Sequence, residues 1–272
     1  MDSLFTVQGK TIVITGGAGV LGAAMAKSLA KAGAKVAVTD CDSLRAHQVC
    51  EAIEADGGFA FPIELNVLDK SQIEEAASCA IANLGHVDIL INGAGGNKKE
   101  ATTGPDMSFF DIPGDAIRWV FDLNLLGTVL PSQVFGKHMA ERGQGTILNV
   151  SSMNAFTPLT KISAYSAAKA AVSNFTQWLA VHMCQNYSAD IRVNAIAPGF
   201  FLTDQNRFLL TNETTGDLTP RGKTILDHTP MGRFGAPEEL VGTIQWLLSD
   251  AAKFVTGIVV PVDGGFSAFS GV

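Results

Sequence analysis

Short runs of apolar and β-branched residues alternate along the chain with longer segments in which apolar residues recur at helical spacing. The apolar runs are continuous, which is typical of parallel strands covered by helices on both faces. The pattern predicts an α/β fold, a single doubly wound Rossmann-type domain over residues 1–272 with a mostly seven-stranded parallel sheet. The predicted strands are Thr11–Thr15, Lys35–Thr39, Phe59–Leu65, Val87–Ile91, Gly145–Val150, Asp190–Ala197 and Gly257–Val262. The predicted helices are Val20–Ala32, Ser43–Ala55, Ser71–Leu84, Asp115–Arg142, Ile162–Asn186 and Ala236–Ser249.

Two stretches interrupt this alternation. Gly93–Pro113 is polar and rich in glycine and proline, whereas Phe200–Thr229, an insertion around residues 200–230, is predicted to be irregular or partly helical. Connections of this length are more often functional than incidental. Within the long helix Asp115–Arg142 we expect a kink at Pro131, because proline has no N–H for the helical ladder.

Composition narrows the classes of function. The chain is 47% hydrophobic with a net charge of −7, and its lack of lysine and arginine runs argues against a nucleic-acid partner. Its start lacks a basic segment followed by a long apolar run, so we do not expect secretion. No later stretch reaches about 18 apolar residues, so we do not expect a membrane span. We therefore expect a cytoplasmic location. The four cysteines and five histidines lack zinc-ligand spacing, and no metal site is predicted.

A glycine-rich turn follows the first predicted strand. The segment Gly17–Gly22 fits the pattern Gly-x-Gly-x-x-Gly and opens the first predicted helix. Glycines let the backbone approach a pyrophosphate, and the free N–H groups at the helix start favour its negative charge. A phosphate-loop NTPase is not indicated, because Gly9-Lys10-Thr11 precedes the strand and Leu4 occupies the position of the required upstream glycine.

Asp40 follows the second predicted strand. A carboxylate at this point accepts hydrogen bonds from both hydroxyls of an adenosine ribose and repels a 2′-phosphate. With the glycine turn upstream, Asp40 favours NAD over NADP as the cofactor. The alternative is a solvated aspartate at a strand end.

Tyr165 and Lys169 lie four residues apart in a predicted helix, and therefore on the same face. An ammonium near a phenol favours the phenolate and lowers its pKa from about 10 toward neutrality. A tyrosine tuned in this way exchanges a proton with an alcohol or a carbonyl oxygen. The alternative is a half-buried tyrosine and a surface lysine at chance spacing.

Several further motifs occur in a fixed order around this pair. Ser152 precedes Tyr165 by 13 residues, and Asn124 lies in the preceding long helix. The other motifs are Asn92-Gly93-Ala94-Gly95, Pro198-Gly199 followed by Thr203, the segment Pro230–Gly235 with Glu238 and Glu239, and Asp263-Gly264-Gly265. With these motifs, nearly the whole chain resembles the short-chain dehydrogenase/reductase family. It departs from the family pattern at Val20, Asn66 and Gly93, all on the cofactor side, although an Asn66 side chain can still pair with an adenine edge.

The resemblance implies a catalytic role for four residues. Tyr165 is the acid/base, Ser152 donates a hydrogen bond to the same substrate oxygen, and Lys169 lowers the pKa of Tyr165 and holds the nicotinamide ribose. Asn124 distorts its helix and holds a water that connects Lys169 to solvent. The implied cofactor contacts are Gly16, Gly19, Val20, Leu21, Asp40, Asn66, Val67, Asn92, Gly93, Ala94, Tyr165, Lys169, Pro198, Gly199 and Thr203.

The substrate is indicated by resemblance more than by chemistry. Gly93–Lys99 and the ending Gly265–Val272 look like the D-mannonate oxidoreductase (fructuronate reductase) branch of the family, which interconverts a keto sugar acid and its hydroxy acid with NAD(H). Besides Ser152 and Tyr165, the predicted substrate contacts are Asn97, Lys98, Asn154 and Arg207, which can bind hydroxyls and a carboxylate. Lys98 and the neighbouring Lys99 are alternatively solvated loop lysines.

Three other functions stay open. One is another sugar-acid or polyol dehydrogenase, such as gluconate 5-dehydrogenase. The second is a 3-oxoacyl-thioester reductase, for which phenylalanines of the insertion, such as Phe200 and Phe208, supply an apolar entrance. The third is a non-catalytic NAD-binding sensor, against which the joint presence of Ser152, Tyr165 and Lys169 argues. The apolar faces of Asp115–Arg142 and Ile162–Asn186 suggest pairing between subunits, and the resemblance implies a homotetramer.

Overall fold

The computed structural model describes residues 3–202, 210–212 and 215–271. Within these ranges seven parallel strands form one sheet in the order β3-β2-β1-β4-β5-β6-β7. The strands are β1 (Thr11–Thr15), β2 (Lys35–Asp40), β3 (Phe59–Glu64), β4 (Ile89–Asn92), β5 (Gly145–Val150), β6 (Ile191–Pro198) and β7 (Val259–Val262). The order reverses at β1 and β4, and in such sheets ligands bind at the carboxyl ends of the strands beside this point. The predicted fold class is confirmed.

Helices cover both faces of the sheet. They are α1 (Val20–Lys31), α2 (Ser43–Ala55), α3 (Lys70–Leu84), α4 (Gly114–Phe121), α5 (Gly127–Arg142), α6 (Ser163–Asn186), α7 (Pro220–Asp227) and α8 (Val241–Leu248). Successive residues of a strand point to opposite faces. In β1, Ile12 and Ile14 join one apolar core with α1, α2 and α8, whereas Val13 joins a second core with α3, α5 and α6. The continuous apolar runs in the sequence thus reflect burial on both faces.

The long helix predicted at Asp115–Arg142 is interrupted, but not at Pro131. The interruption is a π-helical turn at Asp122–Leu126, and Pro131 lies inside the α-helix that follows. The Nδ2 of Asn124 donates to the carbonyl of Val120 at 2.8 Å and so competes with the regular backbone hydrogen bonds of this turn. The distortion that the family resemblance implies at Asn124 is therefore present, whereas at Pro131 the helix continues without a break.

Other boundaries shift by smaller amounts. The helix predicted at Ala236–Ser249 begins with a 3₁₀ turn, Pro237–Leu240, and β7 begins at Val259 rather than Gly257. In the insertion, α7 is helical, whereas Thr203, Arg207, Phe208 and Leu209 lie outside the described residues. None of the helices described is both long and apolar enough to cross a membrane.

Candidate active site

A cleft of about 530 Å³ lies along the carboxyl ends of the central strands. Its volume is typical of sites for small molecules and cofactors. The cleft collects residues that are far apart in the sequence, because the ends of parallel strands meet at one edge of the sheet. The predicted site residues that line it are Gly16, Gly19, Val20, Leu21, Asp40, Asn66, Val67, Gly93, Ala94, Ser152, Tyr165, Lys169, Pro198 and Gly199.

The glycine turn at one end of the cleft is packed too closely for side chains. Gly16 has φ +64°, and a Cβ on it would lie 2.8 Å from the backbone of Ala94. A Cβ on Gly22 would collide with the carbonyl oxygen of Gly16. Helix α1 starts after Gly19 without a side-chain cap, so the first N–H groups of the helix face the cleft without a side-chain acceptor. This arrangement fits the pyrophosphate of a dinucleotide.

Asp40 is held in a fixed position beside the glycine turn. Its Oδ2 accepts a hydrogen bond from the N–H of Ala18 at 3.0 Å, and its Oδ1 accepts one from the N–H of Asp42 at 3.1 Å. Oδ1 also accepts a weak hydrogen bond from Cys41 Sγ at 3.6 Å, whereas Oδ2 has a further lone pair, so the side chain keeps acceptor capacity toward the cleft. Arg45, which sequence reasoning missed, also lines this end and pairs with Asp42. The carboxylate is oriented for the hydroxyls of a ribose.

The predicted contacts around the third and fourth strands divide into two groups. Asn66 lines the cleft while its Oδ1 accepts from the N–H of Leu68 at 3.1 Å. Asn92 is buried behind the cleft, where its Nδ2 donates to Ser132 Oγ at 2.9 Å and to Asn149 Oδ1 at 2.8 Å. Asn92 therefore joins β4 to β5 and α5 and is not among the residues that line the cleft.

Ser152 and Tyr165 meet at the centre of the cleft. Ser152 follows β5, and its side chain lines the cleft beside that of Tyr165, close enough to affect the Tyr165 hydroxyl. Burial raises the pKa of Tyr165 above that of an ordinary phenol, and the Ser152 hydroxyl opposes this in part. A partly buried phenol beside a hydroxyl is able to hold and protonate a substrate oxygen.

Lys169 approaches Tyr165 from the same face of α6, as predicted. Its Nζ lies 5.7 Å from the centroid of the Tyr165 ring and donates to the carbonyl of Val150 at 2.8 Å. Burial lowers the pKa of Lys169 to about 8. The predicted lowering of the Tyr165 pKa by Lys169 does not appear in this structure, because burial acts against the charged form of both groups and the ammonium is bonded to Val150.

Asn124 borders the catalytic lysine from the π-helical turn. Its Nδ2 donates to the carbonyl of Gly96 at 2.7 Å, and its Oδ1 accepts from the N–H of Gly96 at 3.1 Å. A Cβ on Gly95 would lie 2.7 Å from Asn124 Oδ1 and 3.1 Å from Lys169 Nζ, so the three residues pack closely. Asn124 fixes the loop after β4 against the catalytic lysine.

The predicted substrate residues are only partly brought together. Asn154 is buried, its N–H donates to Ser152 Oγ at 3.3 Å, and its Oδ1 has no partner within the part of the chain that the structure describes. Asn97 donates to Thr102 Oγ1 at 2.9 Å, and Lys98 Nζ lies 5.5 Å from the centroid of the Trp119 ring. None of the three lines the cleft as described, and Arg207 and Thr203 lie outside the described residues.

Comparisons with known proteins agree with this geometry. The sequence pattern of the short chain dehydrogenase family matches residues 10–214. An oxidoreductase of Bacillus subtilis (strain 168) named UxuB, of uncharacterised activity, is 49% identical over 98% of each chain. The 5-keto-D-gluconate 5-reductase of Escherichia coli (strain K12) is 33% identical, over 97% of this chain and 98% of its own.

A solved structure extends the comparison to the fold. A Haemophilus protein described as a candidate D-mannonate oxidoreductase, with bound NAD, superposes with a TM-score of 0.91 and is 48% identical over 98% of each chain. The predicted oxidoreductase class is confirmed, and the predicted cofactor agrees with the NAD bound to that protein. With a glycine turn, a Ser152–Tyr165–Lys169 centre and a family match over most of its length, the chain belongs to the short-chain dehydrogenase family.

Proposed function

We propose that the protein interconverts a keto sugar acid and its hydroxy acid with NAD(H), with D-fructuronate and D-mannonate as the substrate pair. The observation that carries the proposal is the cleft, which joins the Ser152–Tyr165 pair to a carboxylate, Asp40, at its other end. The similarity to an NAD-bound protein described as a candidate D-mannonate oxidoreductase supports the choice of substrate. Asp40 supports NAD over NADP, since a carboxylate repels a 2′-phosphate.

Each residue of the cleft has a separate role in the proposed reaction. The nicotinamide ring, when bound, accepts or delivers the hydride. In the oxidative direction, Tyr165 Oη receives the proton of the substrate hydroxyl, while Ser152 holds the same oxygen by a hydrogen bond. Lys169 is placed to bind the nicotinamide ribose and to favour the phenolate once its ammonium leaves the Val150 carbonyl. Pro198 and Gly199, with Thr203 beyond them, border the nicotinamide end in this proposal.

The substrate side is built from polar groups near Ser152. The buried, unpaired Oδ1 of Asn154 is suited to accept a hydrogen bond from a substrate hydroxyl. Asn97, Lys98 and Arg207 supply further donors, with Arg207 in the insertion around residues 200–230. For Lys98 this requires a rotation away from the Trp119 ring, over which it now lies. An arginine is the better partner for a carboxylate, because its guanidinium forms two parallel hydrogen bonds.

A second candidate is reduction of 5-keto-D-gluconate, which the similarity to the Escherichia coli reductase favours. A 3-oxoacyl-thioester reductase would use an apolar entrance formed by phenylalanines of the insertion, of which Phe200 and Phe201 line the cleft. A non-catalytic NAD sensor is the remaining alternative. The intact contact between Ser152 and Tyr165 and the close approach of Lys169 favour an enzyme over a sensor.

The test is an absorbance assay of NADH oxidation with D-fructuronate, 5-keto-D-gluconate and an acetoacetyl thioester as separate substrates. We expect the largest kcat/KM with D-fructuronate. Preference for 5-keto-D-gluconate would replace the proposed substrate by the second candidate. Turnover of the thioester alone would contradict the sugar-acid proposal. Binding of NADH without turnover of any of the three would favour the sensor.

We also propose that the protein forms a cytoplasmic homotetramer. On α6, Trp178 and Val181 are 57% and 56% exposed, and the Trp178 ring stacks on His182 at a centroid distance of 4.8 Å. An apolar face of this kind on a long helix is typical of an interface between identical subunits. Light scattering should give about four times the chain mass of 28.6 kDa, whereas a monomer would contradict the proposal.

A further inference from the structure

The serine that precedes the catalytic serine connects β5 to the helix that carries Tyr165 and Lys169. Ser151 is 2% exposed, and its Oγ lies 3.1 Å from the carbonyl oxygen of Lys169 and 2.7 Å from Ser173 Oγ. Its own N–H donates to the carbonyl of Ile196 on β6 at 2.8 Å. We propose that Ser151 is a positioning residue for the reaction, which fixes Lys169 relative to Tyr165.

The direction of the hydrogen bonds follows from the number of protons. The Ser151 hydroxyl has one proton, which it donates to the Lys169 carbonyl, since a carbonyl can only accept. The Ser173 hydroxyl must then donate to Ser151 Oγ. The contact is therefore a directed chain from Ser173 through Ser151 to Lys169, and it ends on the backbone of the catalytic lysine.

Two neighbouring residues at the end of β5 therefore hold Lys169, one at its side-chain nitrogen and the other at its backbone carbonyl. Its Nζ is bonded to the carbonyl of Val150, and its own carbonyl is bonded to Ser151. The four-carbon side chain of a lysine has many rotamers, so its ammonium is placed reproducibly only if the backbone below it is fixed. In this proposal the ammonium acts on the Tyr165 phenol once it has left the Val150 carbonyl, and the effect falls with distance, so a shift of the backbone would then change the proton affinity of Tyr165.

The chain offers a direct way to observe this. It contains only two tyrosines, so the substitution Tyr187→Phe leaves Tyr165 as the one phenol whose ionisation changes the near-ultraviolet absorbance at high pH. In this background and with NAD⁺ bound, the state in which Lys169 leaves the Val150 carbonyl in this proposal, we expect Ser151→Ala to raise the midpoint of Tyr165 ionisation by about half a pH unit or more. The pH profile of kcat for D-fructuronate, or for 5-keto-D-gluconate if only that is reduced, should move the same way, with kcat about tenfold lower at neutral pH.

Two further variants separate positioning from simple loss of a buried hydroxyl. Ser132→Ala removes a buried hydroxyl that bonds the Thr128 carbonyl and Asn92 but does not touch Lys169, so it should lower the thermal midpoint and leave the Tyr165 titration unchanged. Ser173→Ala keeps the bond from Ser151 to Lys169 and should also leave the titration close to that of the background.

Each outcome decides the proposal. A Tyr165 midpoint in Ser151→Ala equal to that of the background, whatever the loss of thermal stability, would overturn it, because Ser151 would then be structural only. An equal shift in Ser132→Ala or in Ser173→Ala would also overturn it, since the contact with Lys169 would not be the cause. Circular dichroism at each pH identifies the range in which the variants are folded.

Discussion

The two ends of the parallel sheet differ in how completely their polar side chains are hydrogen-bonded. At the amino ends, Asp88 precedes β4, and its Oδ2 accepts from both the N–H and the hydroxyl of Thr11 at 3.0 Å. Its Oδ1 lies 3.2 Å from Arg142 Nη2 and 3.2 Å from His86 Nε2. Both oxygens of this carboxylate have two partners each, which accounts for its full set of lone pairs.

At the carboxyl ends, buried acceptors are left without partners. Among the described residues, Asn92 Oδ1, at the end of β4, and Asn154 Oδ1, just after β5, have none. A buried polar atom without a partner costs about 1–3 kcal/mol, so such groups persist where a ligand or water completes them. The difference indicates that the amino ends hold the sheet together, whereas the carboxyl ends, where the cleft lies, leave buried acceptors unpaired at two asparagines that do not themselves line the cleft.

The largest effect is expected at the carboxyl ends, from Tyr165→Phe. This change removes the hydroxyl that exchanges a proton with the substrate and leaves the ring in place, so kcat for the best keto acid should fall by about 10³-fold. NADH binding, measured by fluorescence titration, and the thermal midpoint should stay close to those of the wild type. Substantial turnover in this variant would contradict the assignment of Tyr165 as the acid/base.

Tyr187→Phe is the matched control for this variant. Tyr187 lies just after α6, is 57% exposed and is far along the helix from Tyr165. The control should retain full turnover. If it lost activity to the same degree, the effect of the first variant could not be assigned to proton transfer at Tyr165.

The fold was largely predictable because the apolar runs are strong signals. Residues buried on both faces of a parallel sheet are mostly apolar, so strands such as Thr11–Thr15 stand out and are predicted within one or two residues. The approach of Lys169 to Tyr165 was predictable from spacing, since the two residues share one helical face wherever the helix begins. Here local sequence and tertiary structure agree.

The remaining features depend on contacts between distant segments. The π-helical turn at Asp122–Leu126 has no distinct periodicity, so only the family resemblance, through Asn124, predicted a distortion there. The bond from Lys169 to the Val150 carbonyl involves a backbone acceptor, which any residue type would provide. For Lys98, the sequence could not show that the Trp119 ring competes with the cleft for its ammonium.

A smaller effect is expected from Asp40→Asn, which removes the charge beside the glycine turn but keeps an acceptor oxygen. Because a carboxylate repels a 2′-phosphate, the ratio of kcat/KM with NADPH to that with NADH should rise about tenfold or more. Titration of NADP⁺ by calorimetry should show tighter binding. The same experiment tests whether Asp40, whose oxygens already accept hydrogen bonds from Ala18 and Asp42, also binds the cofactor.

Glu64→Gln is the control for Asp40→Asn. Glu64 is paired in register with Asp40 at the end of β3, is exposed, and is not among the residues lining the cleft. It should leave the cofactor preference unchanged. An equal gain for NADPH in both variants would show a general effect of charge at this edge, and no gain in either would refute the role of Asp40.

The smallest effect on activity, and a clear one on stability, is expected at the amino ends from Asp88→Asn. Burial alone raises the pKa of Asp88, but the hydrogen bonds from Thr11 and the nearby charges outweigh it, so the folded-state pKa lies below the usual range. This carboxylate therefore stabilises the fold above the unfolded-state pKa of about 3.9, and its contribution is lost as the pH falls through the lower, folded-state value.

At neutral pH, Asp88→Asn should lower the free energy of unfolding in urea by about 2 kcal/mol, because hydrogen bonds to a charged group are lost, with kcat unchanged. The difference from the wild type should begin to shrink as the pH falls below about 4, where the carboxyl is protonated in the unfolded chain, and should vanish below the folded-state pKa, where the folded protein is protonated as well. Asp106→Asn, at an exposed loop position, should change stability little at any pH. A loss of activity in Asp88→Asn without a loss of stability would reverse the roles given to the two ends of the sheet.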